Sequence, residues 1–244
     1  MKQEIVVIIG DSLGAPRPWV GVDLKRTYGL QLAAYLGGEF FVANYSAGDN
    51  SSARSSKESF LRTYVRASDI SYAVIHLGIV DCAPRLLSNF ERLLGAVASR
   101  SEIFNFFFKL YVSFKSRHRY WLTKRFPRTL VPLPAFEANY RRLINELIST
   151  NPIKNIFLLE VAYPGSFLIE KSFNILGNIN AYNDVIHRVA AENPSLIDVI
   201  GVFQQTKAHP DWITPEDGHH ILPEAHDWIA QQLQDRIKLV LHSA

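Results

Sequence analysis

The stretch VVIIGDSLGAP, residues 6–16, decides how this sequence is interpreted. With Ile5, its first four residues form an apolar run that is short enough for a buried strand. The run is followed at once by GDSLG, residues 10–14. Glycines permit tight turns in which other residues clash. A serine placed between two such glycines is also typical of the turn that lifts a nucleophile off a strand end, so the stretch has a mechanical and a chemical interpretation.

Short apolar runs recur along the chain and predict five strands. They lie at residues 5–9, 40–43, 72–77, 155–161 and 196–202. Amphipathic stretches with helical period lie between and after them, at residues 24–36, 136–148, 179–191 and 223–239. Alternation of strands and helices predicts a parallel sheet with helices on both faces. The predicted fold is a flavodoxin-like three-layer α/β/α sandwich with a five-stranded parallel sheet.

Polar residues follow three of the predicted strands at the point where each strand ends. Ser12 follows the first strand, a serine-rich loop after Tyr45 follows the second, and Asp81 follows the third. Sites in open parallel sheets form at the carboxyl ends of the strands. We therefore expect these three pieces of sequence to meet at one edge of the sheet.

A histidine and an acid that could activate Ser12 lie near the end of the sequence. A serine nucleophile needs a base that takes its proton and a carboxylate that orients the base. The segment PEDGHHILPEAH places Asp217 three residues before His220 on a predicted loop. Asp217 can accept the Nδ1 proton of His220 while Nε2 faces the serine. Ser12, His220 and Asp217 make a complete predicted catalytic triad.

A metal site is the weaker interpretation of the same segment. Its ligands would be Asp217, His219, His220 and His226. Their spacing matches no common structural or catalytic zinc pattern. We therefore expect no metal and no cofactor.

The order of these motifs resembles the SGNH or GDSL hydrolases over almost the whole chain. Residues 10–13, GDSL, match the first block of that family with its nucleophile, and Gly48 in NYSAGDN matches the glycine of the second block. HLGIVDCAP looks like the third block, and DGHHILPEAH is similar to the fifth. The resemblance implies a serine esterase in which Ser12 and Gly48 donate backbone N–H groups to the oxyanion. Asp11 and Asp81 are expected to support the loops of the site.

The third block departs from the family pattern at Val80. The family usually reads Gly-x-Asn-Asp there, and the asparagine amide is the third oxyanion donor, but this chain has a valine. Loss of one such donor typically costs about 10²–10³ in rate. Asn44, Asn50 and Arg85 are candidate replacements by proximity in sequence, and Asn50 and Arg85 are also candidate substrate-binding residues. A degenerate member without catalysis is the less favoured alternative.

Residues 86–134 interrupt the alternation of strands and helices. They contain no predicted strand and include FNFFFKLYVSFKSRHRYWLTKRFPR, in which aromatic and basic residues alternate and no acidic residue occurs. We predict a helical insertion near the active edge that binds an anionic substrate, with Arg117, Arg119 and Arg125 as candidate contacts. The alternative is that its aromatics pack on the domain and its charges are a solvated face.

Composition sets the remaining expectations. The chain has 244 residues and 48% hydrophobic content, which fits one domain over residues 1–244. A formal net charge of +3 argues against a nucleic-acid partner. Cys82 is the only cysteine, so no internal disulfide can form. The start of the sequence lacks the pattern of a signal peptide, and we expect a cytoplasmic protein. The sequence does not predict an oligomeric state.

The predicted function is hydrolysis of an acyl or acetyl ester, on a carbohydrate or glycolipid. An O-acyltransferase that acts on a glycan is the first alternative, because it would use the same triad. The second alternative is a non-catalytic module that binds an anionic glycan or makes peripheral contact with a membrane surface. The aromatic and basic insertion fits a sugar with acid groups, because aromatic rings stack on sugar faces and arginines pair with carboxylates.

Overall fold

The computed structural model describes residues 3–66 and 69–243 of the chain. Five strands form one sheet: β1 Glu4–Gly10, β2 Phe40–Asn44, β3 Ile70–His76, β4 Asn155–Leu159 and β5 Ile197–Ile200. All neighbouring pairs are parallel, and the order is β2-β1-β3-β4-β5. This is the flavodoxin-like order of doubly wound sheets. The predicted fold class is confirmed.

Helices connect the strands. The first six are α1 Tyr28–Leu36, α2 Ser52–Ser55, α3 Glu58–Phe60, α4 Ile79–Cys82, α5 Asn89–Ala98 and α6 Glu102–Arg117. The other six are α7 Arg119–Arg125, α8 Leu133–Thr150, α9 Ser166–Lys171, α10 Ile175–Ala190, α11 Val202–Ala208 and α12 Pro223–Ser243. No helix within residues 3–66 and 69–243 is both long enough and apolar enough to span a membrane.

The two faces of the sheet bury separate halves of the core. Val7 and Ile9 of β1 belong to a cluster with residues of α8 and α10. Val6 and Ile8 belong to a second cluster with residues of α1 and α12. Successive side chains of a strand point to opposite faces, so an uninterrupted apolar run is what a strand needs when helices cover both sides. The three layers follow from that pattern.

The first helix begins later than its periodicity predicts. The expected helix covered residues 24–36, but residues 24–26 form a separate 3₁₀ turn, and Asp23 caps it by accepting a hydrogen bond from the backbone N–H of Arg26. Thr27 is extended, and α1 begins at Tyr28. Nδ1 of His226 accepts the backbone N–H of Tyr28, 3.2 Å away, and so satisfies an N–H that the helix itself leaves free.

The segment of residues 86–134, which the sequence predicts as an insertion, contains three helices, α5 to α7. Ser88 and Glu91 form a capping box at the start of α5. The 16-residue helix α6 has no buried residue. Its aromatic residues therefore do not pack into the domain in the way that the solvated-face alternative requires. Near its end the segment contacts the loop after β3, where the N–H of Leu130 donates to the carbonyl of Asp81.

Candidate active site

Ser12 begins a short 3₁₀ turn directly after β1 and is 5% exposed. Asp11 caps the turn by accepting the N–H of Leu13. Space explains the two flanking glycines, because a Cβ at Gly10 or at Gly14 would lie 2.3 Å from Oγ of Ser46. The chain therefore leaves the strand through a turn in which glycines avoid these close contacts, and that turn presents a serine. The mechanical and the chemical interpretation of residues 10–14 apply together.

His220 and Asp217 reach the same point from the loop before α12. Nε2 of His220 is 2.9 Å from Oγ of Ser12. Its Nδ1 is 2.6 Å from Oδ2 of Asp217. The loop is closed by a bridge between Ile213 and Ile221. Its turn contains Gly218 at φ +70°, a conformation that favours glycine.

Asp217 is held as a carboxylate. Burial raises the pKa of this group, but the hydrogen bond with His220 and the charge of His219, with further hydrogen bonds, together outweigh that effect. The hydroxyl of Thr214 and the backbone N–H of His219 also donate to Oδ1. Together they keep the pKa of Asp217 well below its ordinary value. An ionised Asp217 fixes a proton on Nδ1 of His220, which leaves Nε2 as an acceptor for the serine proton.

The other two histidines of the segment have different surroundings. His219 packs against His220 with ring centroids 3.9 Å apart, and burial lowers its pKa to about 4. Ligand atoms of Asp217, His219 and His220 lie within 4.8 Å of one another. A metal there would have to compete with the hydrogen bonds of Asp217 and Ser12 to His220. His226 caps α1 and is not part of this cluster.

The two predicted supporting acids are buried between the loops of the site. Asp11 accepts N–H groups of Leu13 at 3.0 Å and Gly78 at 3.1 Å. Asp81 accepts the N–H of Ser52 and, at 2.8 Å, its hydroxyl. Burial raises the pKa of Asp11 to about 7 and that of Asp81 to about 6. Each acid ties the loop after β3 to another loop of the active edge.

Two backbone N–H groups lie where an oxyanion could be bound. Ser12 and Gly48 line the same cleft, and a Cβ at Gly48 would meet no atom within 4 Å. Neither N–H is bonded to a backbone carbonyl within the described residues. Val80 also lines the cleft but has no polar side-chain atom.

Two of the three candidates for the missing third donor are engaged elsewhere. The amide of Asn44 donates to the carbonyl of Gly14, and that of Asn50 donates to the carbonyl of Gly10. Asn50 is buried and does not line the cleft. Arg85 does line it, and it also donates to the carbonyl of Val80.

The cleft in front of Ser12 has a volume of about 510 Å³. One part of its wall is aliphatic and consists of Ile79, Val80, Ala83, Leu86, Leu87, Val112, Leu130 and Leu168. Another part is basic and contains Arg17, Arg85, Arg92 and Arg119. Such a volume suits a small organic ligand, for which a few polar groups on an apolar wall set orientation.

Only one of the three arginines predicted in the insertion lines the cleft. Arg119 does, whereas Arg117 and Arg125 are exposed and do not. Arg125 stacks on the ring of Phe126 instead. Sequence reasoning did not single out Arg17 and Arg92. Arg17 could have been found from its position five residues after Ser12, whereas only the packing of α5 brings Arg92 to the cleft.

Comparison with known proteins identifies the fold. No family model and no curated protein matches the chain. A lipase/acylhydrolase from Enterococcus faecalis has 16% sequence identity and a TM-score of 0.65, covering 97% of this chain and 96% of that chain. Est24, a carbohydrate acetylesterase from Sinorhizobium meliloti, has 12% identity and a TM-score of 0.59, covering 98% and 100%.

A third solved structure is a catalytic mutant of Axe2, an acetylxylan esterase from Geobacillus stearothermophilus. It has 17% identity and a TM-score of 0.59, and the match covers 93% of this chain and 91% of that chain. At such identities the likeness shows a common fold. The fold that the resemblance to SGNH hydrolases implies is thereby confirmed over almost the whole chain.

Proposed function

We propose that this protein is an SGNH-type serine esterase with Ser12 as nucleophile, His220 as base and Asp217 as the orienting acid. The observation that carries the proposal is the unbroken line of hydrogen bonds from Ser12 through His220 to Asp217, at 2.9 and 2.6 Å. The common fold with esterases and acylhydrolases supports it.

The reaction follows from these positions. Oγ of Ser12 attacks the ester carbonyl while Nε2 of His220 takes its proton. The tetrahedral intermediate collapses, His220 returns that proton to the departing alkoxide, and an acyl-serine remains. Water then attacks the acyl-serine and gives its proton to His220, and the acid is released as Ser12 recovers its hydrogen. The N–H groups of Ser12 and Gly48 bind the oxyanion in both steps.

The substrate is proposed to be an acyl or acetyl ester of a carbohydrate or glycolipid. The printed descriptions of Est24 as a carbohydrate acetylesterase and of Axe2 as an acetylxylan esterase support the sugar part. The aliphatic wall of the cleft supports an acyl group that is apolar. A sugar hydroxyl in place of water in the second step would give the acyltransferase that the sequence leaves as an alternative.

Turnover of p-nitrophenyl acetate by variants tests the proposal. Ser12→Ala and His220→Ala should each abolish measurable turnover, and the double variant should be no worse, because triad members act as a unit. His219→Ala is the matched control, since that ring is adjacent but does not contact Ser12. If Ser12→Ala keeps a rate near that of the wild type, or His219→Ala is the more damaging histidine change, the proposal is wrong.

A further inference from the structure

Four arginines from separate parts of the chain line the cleft of Ser12. Arg17 follows the nucleophile turn, Arg85 follows α4, Arg92 lies on α5 and Arg119 on α7. In the described part of the chain, none of them lies within 4.0 Å of a carboxylate oxygen. Asp49 also lines the cleft, but its carboxylate pairs with Arg54 at 2.7 Å.

Part of this positive charge is buried, and only carboxylates beyond ion-pair distance offset it, Asp217 and Asp11 for Arg17 and Asp81 for Arg85. The Nε atoms of Arg17 and Arg85 are buried and have no hydrogen-bond partner within the described residues. Burial lowers the pKa of Arg85, and the charges of Arg92 and Arg119 lower it further. A buried cationic group with an unused donor is unfavourable until an acceptor binds it, and an anion is the acceptor that also offsets its charge.

The arginines are also held in position. Nε of Arg119 donates to the hydroxyl of Ser172 at 2.7 Å, and its Nη2 donates to the carbonyl of Pro84 at 3.1 Å. Arg85 is fixed by its bond to the carbonyl of Val80. Arg92 is exposed on α5 and can turn toward a ligand. Two hydrogen-bonded arginines and an exposed third leave guanidinium donors available to an anion that enters the cleft.

We propose that Arg17, Arg85, Arg92 and Arg119 form an anion-binding site in the catalytic cleft, so that the ester substrate carries a phosphate or carboxylate group. Guanidinium groups bind both anions through paired hydrogen bonds. This inference rests on the proposed esterase function only in that the bound anion is part of an ester substrate. Anion binding itself can be measured without turnover.

Calorimetry on the Ser12→Ala protein tests the site with three probes: inorganic phosphate, glucuronate and glucose. Phosphate, glucuronate or both should bind, glucose should not, and the stronger anion identifies the group. Arg92→Gln should weaken anion binding at least tenfold, whereas Arg62→Gln, an exposed arginine outside the cleft, should not. No anion binding, or equal losses in the two variants, would overturn the proposal.

Turnover separates this outcome from that of the proposed function. If the protein hydrolyses p-nitrophenyl acetate, phosphate or glucuronate should inhibit it competitively, and Arg92→Gln should raise the inhibition constant at least tenfold. Anion binding without any turnover would leave the anion site intact and overturn the esterase. Turnover that neither anion inhibits would support the esterase and overturn the anion site.

A different observation, the apolar face of the insertion, carries a second proposal. Ile103, Phe107, Leu110 and Phe114 recur along one side of α6 and are all exposed, with Ile103 at 70% and Phe107 at 62%. Phe90, Leu94 and Val97 form a similar exposed stripe on α5. Contiguous exposed apolar surface of this kind marks an interaction site.

The charge around this apolar face indicates what covers it. No acidic residue occurs between Glu102 and Glu137, and the exposed basic residues there are Lys109, Arg117, Lys124, Arg125 and Arg128. A second copy of the chain would place these like charges opposite one another. An anionic lipid surface would neutralise them while it buries the aromatic rings, which is how basic amphipathic helices lie on membranes.

We infer that α5 and α6 dock the protein onto an anionic membrane surface, with the cleft, which Arg92 and Val112 of these helices line, held near the lipid headgroups. Co-sedimentation with phosphatidylglycerol–phosphatidylcholine vesicles should capture the protein, and pure phosphatidylcholine should capture much less. Phe107→Asp should reduce capture at least tenfold. Leu24→Asp, at an apolar residue that is 60% exposed outside the insertion, is the matched control and should not.

Three results would overturn the membrane proposal. One is no capture by anionic vesicles, and another is equal capture by both vesicle types. The third is a stable dimer in light scattering that Phe107→Asp dissociates, because a second copy would then cover the apolar face. Circular dichroism of each variant verifies that the fold is retained.

Discussion

At the carboxyl edge of the sheet, functional side chains are held by other residues of the same chain, whereas many large side chains in residues 86–134 face solvent. Asp11 and Asp81 accept backbone N–H groups, and His220 lies between Ser12 and Asp217. In the insertion, α6 buries no residue. The first region holds its polar side chains largely with its own hydrogen bonds, although Arg17 and Arg85 keep unused donors there, and the second presents large apolar side chains to solvent. We therefore expect catalysis at the first region and recognition at the second.

The largest effect that tests this contrast is expected at Asp217. Asp217→Asn should lower kcat for p-nitrophenyl acetate by about 10⁴-fold, because the amide no longer fixes the proton on Nδ1 of His220. A steady-state assay measures the loss. Asp49→Asn, a change at an acid of the cleft that does not contact His220, should cost little. Equal effects would show that the acid acts through charge in the cleft and not through the histidine.

A pair of identical substitutions compares the two regions in stability. Leu147→Ala on α8, which is fully buried, should lower the free energy of unfolding by about 2–5 kcal/mol. Leu110→Ala on α6, which is 53% exposed, should change it by less than about 0.5 kcal/mol. Urea unfolding of the isolated protein measures both. A large loss at Leu110 would mean that the insertion packs onto the body in solution.

Val80 lines the cleft at the position where the resemblance predicts an asparagine donor. Val80→Asn should place an amide near the oxyanion and raise kcat for p-nitrophenyl acetate by up to about 10²-fold. Val80→Leu, which adds volume without a donor, should not. A flat or lower rate with asparagine would show that another group already supplies the third donor, and Arg85 is the candidate that lines the cleft.

Low pH should reduce the free energy of unfolding, because buried histidines resist protonation in the folded state. Burial lowers the pKa of His226 to about 3, below its unfolded value of ~6.5. A depressed pKa contributes stability that is present at neutral pH and is lost as pH falls from about 6.5 toward 3. A change from pH 7 to pH 5 should therefore lower the free energy of unfolding by about 2 kcal/mol through this residue. His226→Gln should reduce that loss, whereas His118→Gln in the insertion should leave it unchanged, as urea unfolding at the two pH values would show.

The smallest effect is expected from a chelator. The proposed triad needs no metal, so incubation with EDTA followed by desalting should leave ester turnover unchanged. Loss of activity that zinc restores would assign Asp217, His219 and His220 to a metal instead.

The sequence predicts the fold well, and it also predicts the grouping of Ser12, His220 and Asp217. Both predictions rest on signals that lie within short stretches of sequence. Five short uninterrupted apolar runs between amphipathic stretches are typical of strands covered on both faces. The strand–turn–serine motif and the Asp-x-x-His spacing each lie within a few residues. Element ends were less accurate, as at α1, where the cap at Asp23 separates a 3₁₀ turn from the helix.

The wall of the cleft could not be predicted in the same way. Arg85 and Arg119 were expected at the site, but Arg17 and Arg92 were not, and tertiary packing brings the four to one cleft from three parts of the chain. Asn50 was expected at the substrate, but its amide is used to bind the carbonyl of Gly10. A polar side chain near a motif can serve the loop as well as the ligand, and sequence does not distinguish the two.

Labelling with a fluorophosphonate, read by intact mass and peptide mapping, tests the central claim most directly. The reagent forms a stable bond only with an activated nucleophile. We predict one adduct per chain, on Ser12, no adduct in the Ser12→Ala protein and much slower labelling in His220→Ala. No adduct on the wild-type protein, or an adduct on another residue, would contradict the account.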